Sequence, residues 1–266
     1  MMLEIGDIGP DVTALQRQLI RAGYPLDPDG VFGEKTEAAV IKFQTKCGLV
    51  VDGKVGPKTL TALAGQKIGK LLKENDLTLA AQKLGVDIAS IKAINAVESR
   101  GLGFLPDGRP KILFERHVMF KQLEDRGYDV EQLASQYPNI INTKPGGYAG
   151  QHTEHKRLNN AIAINQDAAL CSASWGIFQI MGFHWQALGY DSAEKFAQAM
   201  HHSEGKQLDA FVRFIQSNQK LHQALIEQKW AQFAKMYNGP AYKKNLYDIK
   251  LARAYAQYTA NMEAAA

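Results

Sequence analysis

The sequence predicts a mainly α protein of two domains, in which a small three-helix domain precedes a larger, predominantly helical one. Three observations carry this prediction: an internal repeat near the N-terminus, a Gly- and Lys-rich stretch after it, and apolar residues at helical spacing through much of the remainder. The chain has 266 residues, more than the roughly 100 to 150 of a typical domain. Its hydrophobic share of 45% and charged share of 22% exclude a disordered, collagen-like or disulfide-scaffold protein.

The repeat predicts how the first domain is built. Residues 29–40 align without gaps on residues 52–63, and each copy has Asp-Gly, an apolar residue, a second Gly and, three positions later, Thr. Asp-Gly favours a turn, and the second Gly and the Thr stand where a helix is expected to begin. Residues 1–66 are therefore predicted to form a three-helix domain, followed by a linker over residues 67–75.

The repeat also carries a family resemblance. The two Asp-Gly units, with Leu15-Gln16 and Phe43-Gln44 in neighbouring helices, resemble the three-helix peptidoglycan-binding domain found at the ends of many cell-wall hydrolases. The resemblance covers about a quarter of the chain and implies that this domain binds the bacterial wall. The Gly and Thr residues also build turns and helix starts, so the motif leaves open which residues contact the wall.

Residues 76–266 are predicted to be a second, mainly helical domain. Two segments place apolar residues at helical spacing: Leu208, Phe211, Val212 and Ile215, and then Trp230, Phe233, Ala234 and Tyr237. Strand signals are scarce. The turn-rich loop 101–110 leads into residues 111–115, for which a short strand and the start of a helix are both open.

Glu98 is an acidic residue on an apolar helix face. It follows Ile91 by seven residues and Ile94 by four, so its carboxyl is expected on the buried side. Gly101 is a plausible stop, which puts Glu98 in the last helical turn. Burial and the negative end of the helix dipole both disfavour its ionisation. Such a carboxylic acid suits proton donation to a glycosidic oxygen, although an ordinary paired glutamate is also open.

Two later segments strengthen the interpretation of Glu98. Residues 172–181 form a small-residue turn entering an apolar run that is expected to bury Gln179, and residues 237–242 end one helix and begin another. Glu98-Ser, Ser-x-Gly-x-x-Gln-Ile and Tyr-Asn-Gly-Pro, in that order, resemble the lysozyme superfamily. With Glu-Arg-His at 115–117, the pattern is most similar to the N-acetylmuramidase domain of modular phage endolysins.

This resemblance implies a site. Glu98 would be the general acid, Gln179 and Tyr237 would line the sugar cleft, Asn238 would shape its wall, and Ser174 and Tyr148 would be further sugar contacts. The Gly-Pro after Tyr-Asn departs from the Ala-Gly usual in lytic transglycosylases, which puts that alternative in doubt.

Glu115 is the first candidate for a second catalytic carboxylate, because it follows the loop after Glu98. A salt bridge of Glu115 with Arg116 or a neighbouring base is the structural alternative, and Asp107 and Glu154 are weaker catalytic candidates. If Glu115 is catalytic, we lean towards the wider carboxylate separation of an inverting enzyme.

No cofactor and no metal are expected. His152 and His155 stand three residues apart, but no further ligands follow at convincing spacing. The net charge of +4 does not argue for nucleic acid, whereas the local +6 over residues 206–260 suits an anionic polymer or a solvated helical face. Residues 168–190 lack charge but are interrupted by polar residues, so we expect a core segment and no membrane insertion.

The sequence thus predicts a monomeric endolysin whose partner is the glycan strands of peptidoglycan. It would hydrolyse the β-1,4 bond between N-acetylmuramic acid and N-acetylglucosamine. A lytic transglycosylase and a non-catalytic wall-binding protein remain as alternatives. The first ten residues show no secretory signal, so we expect synthesis in the host cytoplasm and action on the wall after the membrane is permeabilised.

Overall fold

A computed structural model describes residues 2–99 and 101–265, and the chain divides into two compact units, Met1–Leu79 and Ala80–Ala266. The predicted mainly α, two-domain architecture is confirmed. The finer bounds of the prediction, 1–66, 67–75 and 76–266, stay predictions.

The first unit is built on three helices, as the repeat predicts: α1 (Pro10–Arg21), α2 (Glu34–Cys47) and α3 (Pro57–Leu63). Proline begins α1 and α3, where its missing N–H costs no hydrogen bond, and Gly48 ends α2 in a left-handed conformation with φ of 67°. Apolar side chains of the helices and of the turns between them form one core: Val12, Leu15, Leu19, Phe32, Ala39, Val40, Phe43 and Val55.

Each copy of the repeat is closed by a buried glutamine. The Gln16 amide nitrogen donates to Asp29 Oδ1 at 2.8 Å, to the Val31 carbonyl at 3.1 Å and to Thr36 Oγ1 at 3.1 Å. Its amide oxygen accepts the Gly30 N–H at 2.9 Å. Gly30 has φ of 77°, a conformation that glycine adopts without strain.

The second copy repeats this network. The Gln44 amide nitrogen donates to Asp52 Oδ1 and to the Lys54 carbonyl, both at 2.8 Å, and to Thr59 Oγ1 at 3.3 Å. Its oxygen accepts the Gly53 N–H at 3.0 Å. The motif residues that suggested wall binding therefore hold together the turns and helix starts of this unit, and we call the two networks the glutamine latches.

Helix α4 (Glu74–Leu84) contains the division between the units. Just before it, Leu71 and Leu72 are buried, and Lys73 pairs with Leu49 in an isolated antiparallel bridge. Part of the predicted linker is thus ordered against the first unit.

The second unit is a set of helices around a small sheet. Its helices are α5 (Ile88–Glu98), α6 (Arg116–Glu124), α7 (Val130–Gln136), α8 (Gln151–Ile162), α9 (Gln166–Cys171), α10 (Ala193–His202), α11 (Glu204–Ser217), α12 (Gln219–Ile226), α13 (Trp230–Asn238) and α14 (Tyr247–Ala265). Two short 3-10 turns lie between these helices: Gly182–His184 precedes α10, and Pro240–Lys243 connects α13 to α14. The apolar faces predicted for α11 and α13 are buried at Leu208, Phe211, Val212, Ile215, Phe233 and Ala234. Within the described ranges, we find no helix with the length and apolarity needed to cross a membrane.

The sheet has three antiparallel strands in the order β1 (Ile112–Phe114), β2 (Ala173–Trp175) and β3 (Ile180–Met181). Leu113 pairs with Ser174, and Ser174 pairs with Met181. Of the two alternatives for residues 111–115, the short strand is right. The β2–β3 hairpin was not predicted, because strands of two or three residues are too short to show an alternating pattern.

Candidate active site

Helix α5 presents Glu98 at its C-terminal end. The helix begins at Asp87, whose side chain accepts the Ser90 N–H at 2.6 Å, and Glu98 is its last residue. Ala93 and Ile94 are fully buried, and α5 packs along α14. The predicted position of Glu98 in the last turn is therefore confirmed, and the carboxyl itself is half-buried.

Glu98 lies on the wall of a cavity of about 450 Å³. Three residues implied by the resemblance, Gln179, Tyr237 and Asn238, line the same cavity. The Asn238 amide nitrogen donates to Glu98 Oε1 at 3.0 Å, which fixes the orientation of the carboxyl group in the cavity. The remaining lining residues are Ile177, Phe178, Ile180, Met181, His184, Phe214 and Tyr247.

Tyr237 and Asn238 are placed by the end of α13. Gly239, with φ of 75°, ends the helix, and Pro240 begins the following 3-10 turn. The Tyr237 hydroxyl donates to the Phe178 carbonyl at 2.9 Å. Burial, and then the negative charge of Glu98, raise the pKa of Tyr237 well above its usual value, so its hydroxyl remains a proton-bearing donor.

Gln179 differs from expectation. It is exposed towards the cavity and not buried, because φ of 50° turns it out of the hairpin. Its amide accepts from Ser174 Oγ at 2.8 Å and donates to the Gly176 carbonyl at 2.7 Å. Gly176 is required here, since a Cβ on it would stand 2.5 Å from Gln207 Cδ, whose amide oxygen accepts the Ile177 N–H at 2.8 Å. The Ser174 hydroxyl therefore orients the Gln179 amide through this hydrogen bond.

A second cavity, of about 370 Å³, shares Ile177 and Gln179 with the first. Tyr148 lines it from the loop 142–150 and is 48% exposed. Its other lining residues are Leu102, Leu105, Lys111, Ile112, Leu113, Gly150, Glu154 and Gly176. The two cavities form a cleft along the β2–β3 turn, which we call the hairpin cleft.

Glu115 is occupied by partners of its own. The Tyr148 hydroxyl lies 3.0 and 2.9 Å from the two carboxyl oxygens of Glu115, and His117 Nδ1 lies 3.3 Å from Oε2. Glu115 is not among the described residues that line either cavity of the hairpin cleft. Burial, and then the hydrogen bond to Glu115, raise the pKa of Tyr148. Glu115 therefore reaches the cleft through the Tyr148 ring.

The loop that carries Tyr148 is fastened at two further points. Arg116 donates to the carbonyls of Lys144 at 2.8 Å and Pro145 at 3.1 Å, and Glu154 Oε1 accepts the Ala149 N–H at 2.8 Å. Of the alternatives for Glu115, the structure shows the contact with a neighbouring base, His117, and not the salt bridge with Arg116.

Neither alternative carboxylate is free for chemistry. Glu154 is buried, and its Oε2 accepts the Phe114 N–H at 2.9 Å and pairs with Arg157 at 2.7 Å. Asp107 pairs with Arg109 at 2.6 Å, and that hydrogen-bonded guanidinium lowers the pKa of the Asp107 carboxyl far below its usual range. Both contacts are structural.

The two histidines considered for a metal have other partners. His152 Nδ1 lies 3.3 Å from Asp107, and His155 Nε2 lies 2.8 Å from the Pro110 carbonyl. Among residues 2–99 and 101–265, no group of three or more His, Cys, Asp or Glu side chains is arranged to hold a metal ion.

Three aromatic residues of the cleft were missed by sequence reasoning. The His184 ring lies 5.0 Å from Phe214, and Phe214 lies 6.1 Å from Tyr237, which makes a continuous wall. Burial lowers the pKa of His184, which favours the neutral ring. Tyr247, the first residue of α14, completes this wall. None of the three lies in a motif, so only their distance in space reveals them.

Comparison with known proteins follows the division of the chain. Residues 87–259 match the sequence model of a family described as N-acetylmuramidase. Residues 8–63 match that of a family described as a putative peptidoglycan binding domain.

Individual proteins are similar to the whole chain or to part of it. A crystal structure of the Burkholderia AP3 phage endolysin superposes with a TM-score of 0.91 at 51% identity, over 97% of this chain and 99% of that one. A probable N-acetylmuramoyl-L-alanine amidase of Bacillus licheniformis is 35% identical over 82 residues, or 30% of this chain and 23% of the amidase. The amidase CwlL of the same organism is 44% identical over 66 residues, or 24% of this chain and 18% of CwlL. The chain spans less than a quarter of these two curated relatives.

Proposed function

The chain belongs to the N-acetylmuramidase family, and from this premise we propose that it is an endolysin that cleaves the glycan of peptidoglycan. The bond is the β-1,4 linkage between N-acetylmuramic acid and N-acetylglucosamine. The first unit holds the wall, and this tethering raises the concentration of glycan strands near the hairpin cleft.

One observation supports the chemistry most strongly, the bond between Asn238 and Glu98. The Asn238 amide donates to Oε1 of Glu98 and so positions the carboxyl group on the wall of the cavity, where its neutral form would present a proton to a glycosidic oxygen. The leaving oxygen takes this proton as its bond to the anomeric carbon breaks. We assign sugar binding to Gln179 and to the aromatic wall of Phe214 and Tyr237, because all three line this cavity.

The catalytic role predicted for Glu115 stays a prediction, and its contacts favour another role. Because both carboxyl oxygens lie within hydrogen-bond distance of the Tyr148 hydroxyl, we propose that Glu115 is a positioning residue for Tyr148. Glu98 is then the one carboxylate among the described residues lining its cavity. This supports a second candidate, the lytic transglycosylase, in which the muramic 6-hydroxyl replaces water.

The Glu98→Gln variant tests the proposal. The amide keeps the shape and the bond to Asn238 but has no proton to transfer, so we expect a loss of about 100-fold or more in reducing-end release from purified walls. Wall binding and the unfolding temperature are expected to stay near wild type. Retention of more than a few per cent of the activity would remove Glu98 as the acid.

Product mass separates the two chemistries. Hydrolysis adds one water to each cleaved bond, whereas the transglycosylase leaves an anhydro end that is lighter by one water. Mass spectrometry of wall digests made with the wild-type protein distinguishes hydrolysis from transglycosylation, with digests made with Glu98→Gln as the negative control. A wild-type protein that binds walls but releases no product would instead support the non-catalytic alternative.

We further propose that the protein works as a monomer and needs no nucleic acid, metal or cofactor. Synthesis in the host cytoplasm and access to the wall after membrane permeabilisation complete the proposal. Light scattering coupled to gel filtration tests the monomer, and wall lysis in the presence of a chelator tests independence from metals.

A further inference from the structure

Lys111 is the cationic residue of the hairpin cleft. Of the residues that the structure describes, it is the one lysine or arginine that lines either cavity. Its backbone is fixed on both sides, since its N–H donates to the Gly103 carbonyl and its carbonyl accepts the Gly176 N–H, each at 2.8 Å. These bonds set Lys111 between the loop that follows Glu98 and the turn that carries Gln179.

The ammonium group lies near the loop that follows Glu98 in the chain. Lys111 Nζ lies 3.6 Å from the position that a Cβ on Gly101 would occupy, three residues after Glu98. Over the described ranges, no carboxylate pairs with this ammonium. Glu154 also faces the cavity, but its charge is taken up by Arg157 and by two backbone N–H groups.

The walls around Lys111 are aliphatic. Leu102, Leu105, Ile112, Leu113 and Ile177 supply them, and Tyr148 and Gln179 add polar groups at the edge. The attraction between a cation and an anion is stronger beside apolar walls, where the effective dielectric constant is lower, than on an open surface. The cavity therefore favours a ligand with a small apolar part and a carboxylate.

Muramic acid carries such a substituent. Its lactyl ether bears a methyl group and a carboxyl group, and in the wall that carboxyl group holds a stem peptide with free carboxylates of its own. We propose that Lys111 binds a carboxylate attached to the muramic acid residue beside the scissile bond, and so makes cleavage sensitive to the charge of the wall. This proposal rests on the proposed function.

The test compares walls that differ only in charge. One preparation keeps its carboxylates, and the other has them converted to amides with a carbodiimide and ammonia. Wild-type protein is expected to cleave the charged wall with about tenfold higher kcat/KM, the size of one charge-assisted contact. Lys111→Arg keeps this preference, Lys111→Met loses it, and Lys111→Glu reverses it. Lys195→Met, which removes an exposed charge on α10, is the matched control and keeps it.

Glycan strands stripped of peptide by an amidase identify the source of the carboxylate. Amidase cleavage frees the lactyl carboxylate, which is an amide in the intact wall. A difference between wild type and Lys111→Met that disappears on stripped strands assigns the stem-peptide carboxylates, and one that persists shows that Lys111 also reaches the lactyl carboxylate. Equal cleavage of charged and amidated walls by wild type, or an unchanged preference in both Lys111→Met and Lys111→Glu, would overturn the proposal. A wild-type protein inactive on every wall would overturn the proposed function instead.

Discussion

The contact between Glu115 and Tyr148 can be tested by a double-mutant cycle. A hydrogen bond to a charged group contributes about 1.5 to 3 kcal/mol, but Tyr148 is 48% exposed, so solvent screening reduces this to about 1 kcal/mol. That energy corresponds to about fivefold in kcat/KM if it holds the Tyr148 ring in place for substrate. Tyr148→Phe and Glu115→Ala are each expected to lose this amount.

The two roles of Glu115 differ most in Glu115→Gln. Glutamine still offers an oxygen to the Tyr148 hydroxyl, so a positioning residue keeps kcat/KM within about twofold of wild type. A general base or nucleophile would lose about 100-fold or more, because the amide can neither take a proton nor attack. The change is expected in KM more than in kcat, because the role proposed for Tyr148 is to bind substrate and not to act on the reacting bond.

The assay is the initial rate of reducing-end release from soluble glycan fragments, with Glu131→Gln on α7 as a matched surface control. The double variant of Glu115→Ala and Tyr148→Phe is expected to lose no more than either single variant, because both remove one contact. Additive losses, or a collapse of kcat in Glu115→Gln, would refute the positioning role and restore Glu115 as the second catalytic carboxylate.

Further predictions concern the acid's partner, the wall-binding unit and pH. Asn238→Ala is expected to lower kcat by about tenfold by freeing the Glu98 carboxyl, and Asn245→Ala, just beyond the next turn, serves as its control. Gln44→Ala leaves several groups of one glutamine latch unsatisfied and should destabilise the first unit by about 2 to 4 kcal/mol in chemical denaturation, whereas the exposed Gln66→Ala should not. A fragment lacking residues 1–66 is expected to cleave soluble fragments normally but to sediment poorly with insoluble walls; equal activity on both would contradict the division of labour. Burial lowers the pKa of His155, so the unfolded chain binds its proton first, and stability should fall as pH drops from about 7 to 5; His155→Gln, which cannot titrate, should show a smaller fall in melting temperature.

Long periodic segments and paired motifs were predictable from the sequence. The apolar faces of α11 and α13 repeat over several turns, so their burial follows from spacing alone. The N-terminal repeat predicted three helices, because each copy contains both a turn signal and a helix start. Glu98, Asn238 and Gln179 were brought together by a resemblance that spans 140 residues of chain, which no local pattern could do.

What sequence reasoning missed depends on backbone conformation and on distance in space. A positive φ at Gln179 turns an amide outwards from an otherwise apolar run, and residue type alone does not reveal that angle. The hairpin of β2 and β3 is too short to alternate visibly. Glu115 looked catalytic because it follows a loop after Glu98, but its carboxyl group is occupied by Tyr148, 33 residues later.

The glutamine latches show that the shared motif of the first unit serves its folding, which is a different property from the binding of its ligand. Gln16 and Gln44 are each 1% exposed, and their partners are turn and helix-start residues of the same unit. A sequence pattern that identifies this module is therefore a signature of its folding and carries little information about its ligand. Protein engineering could keep the latch residues unchanged to preserve the fold. Exposed positions such as Val31 and Ile41 could then be randomised to select variants of this unit that bind other surfaces.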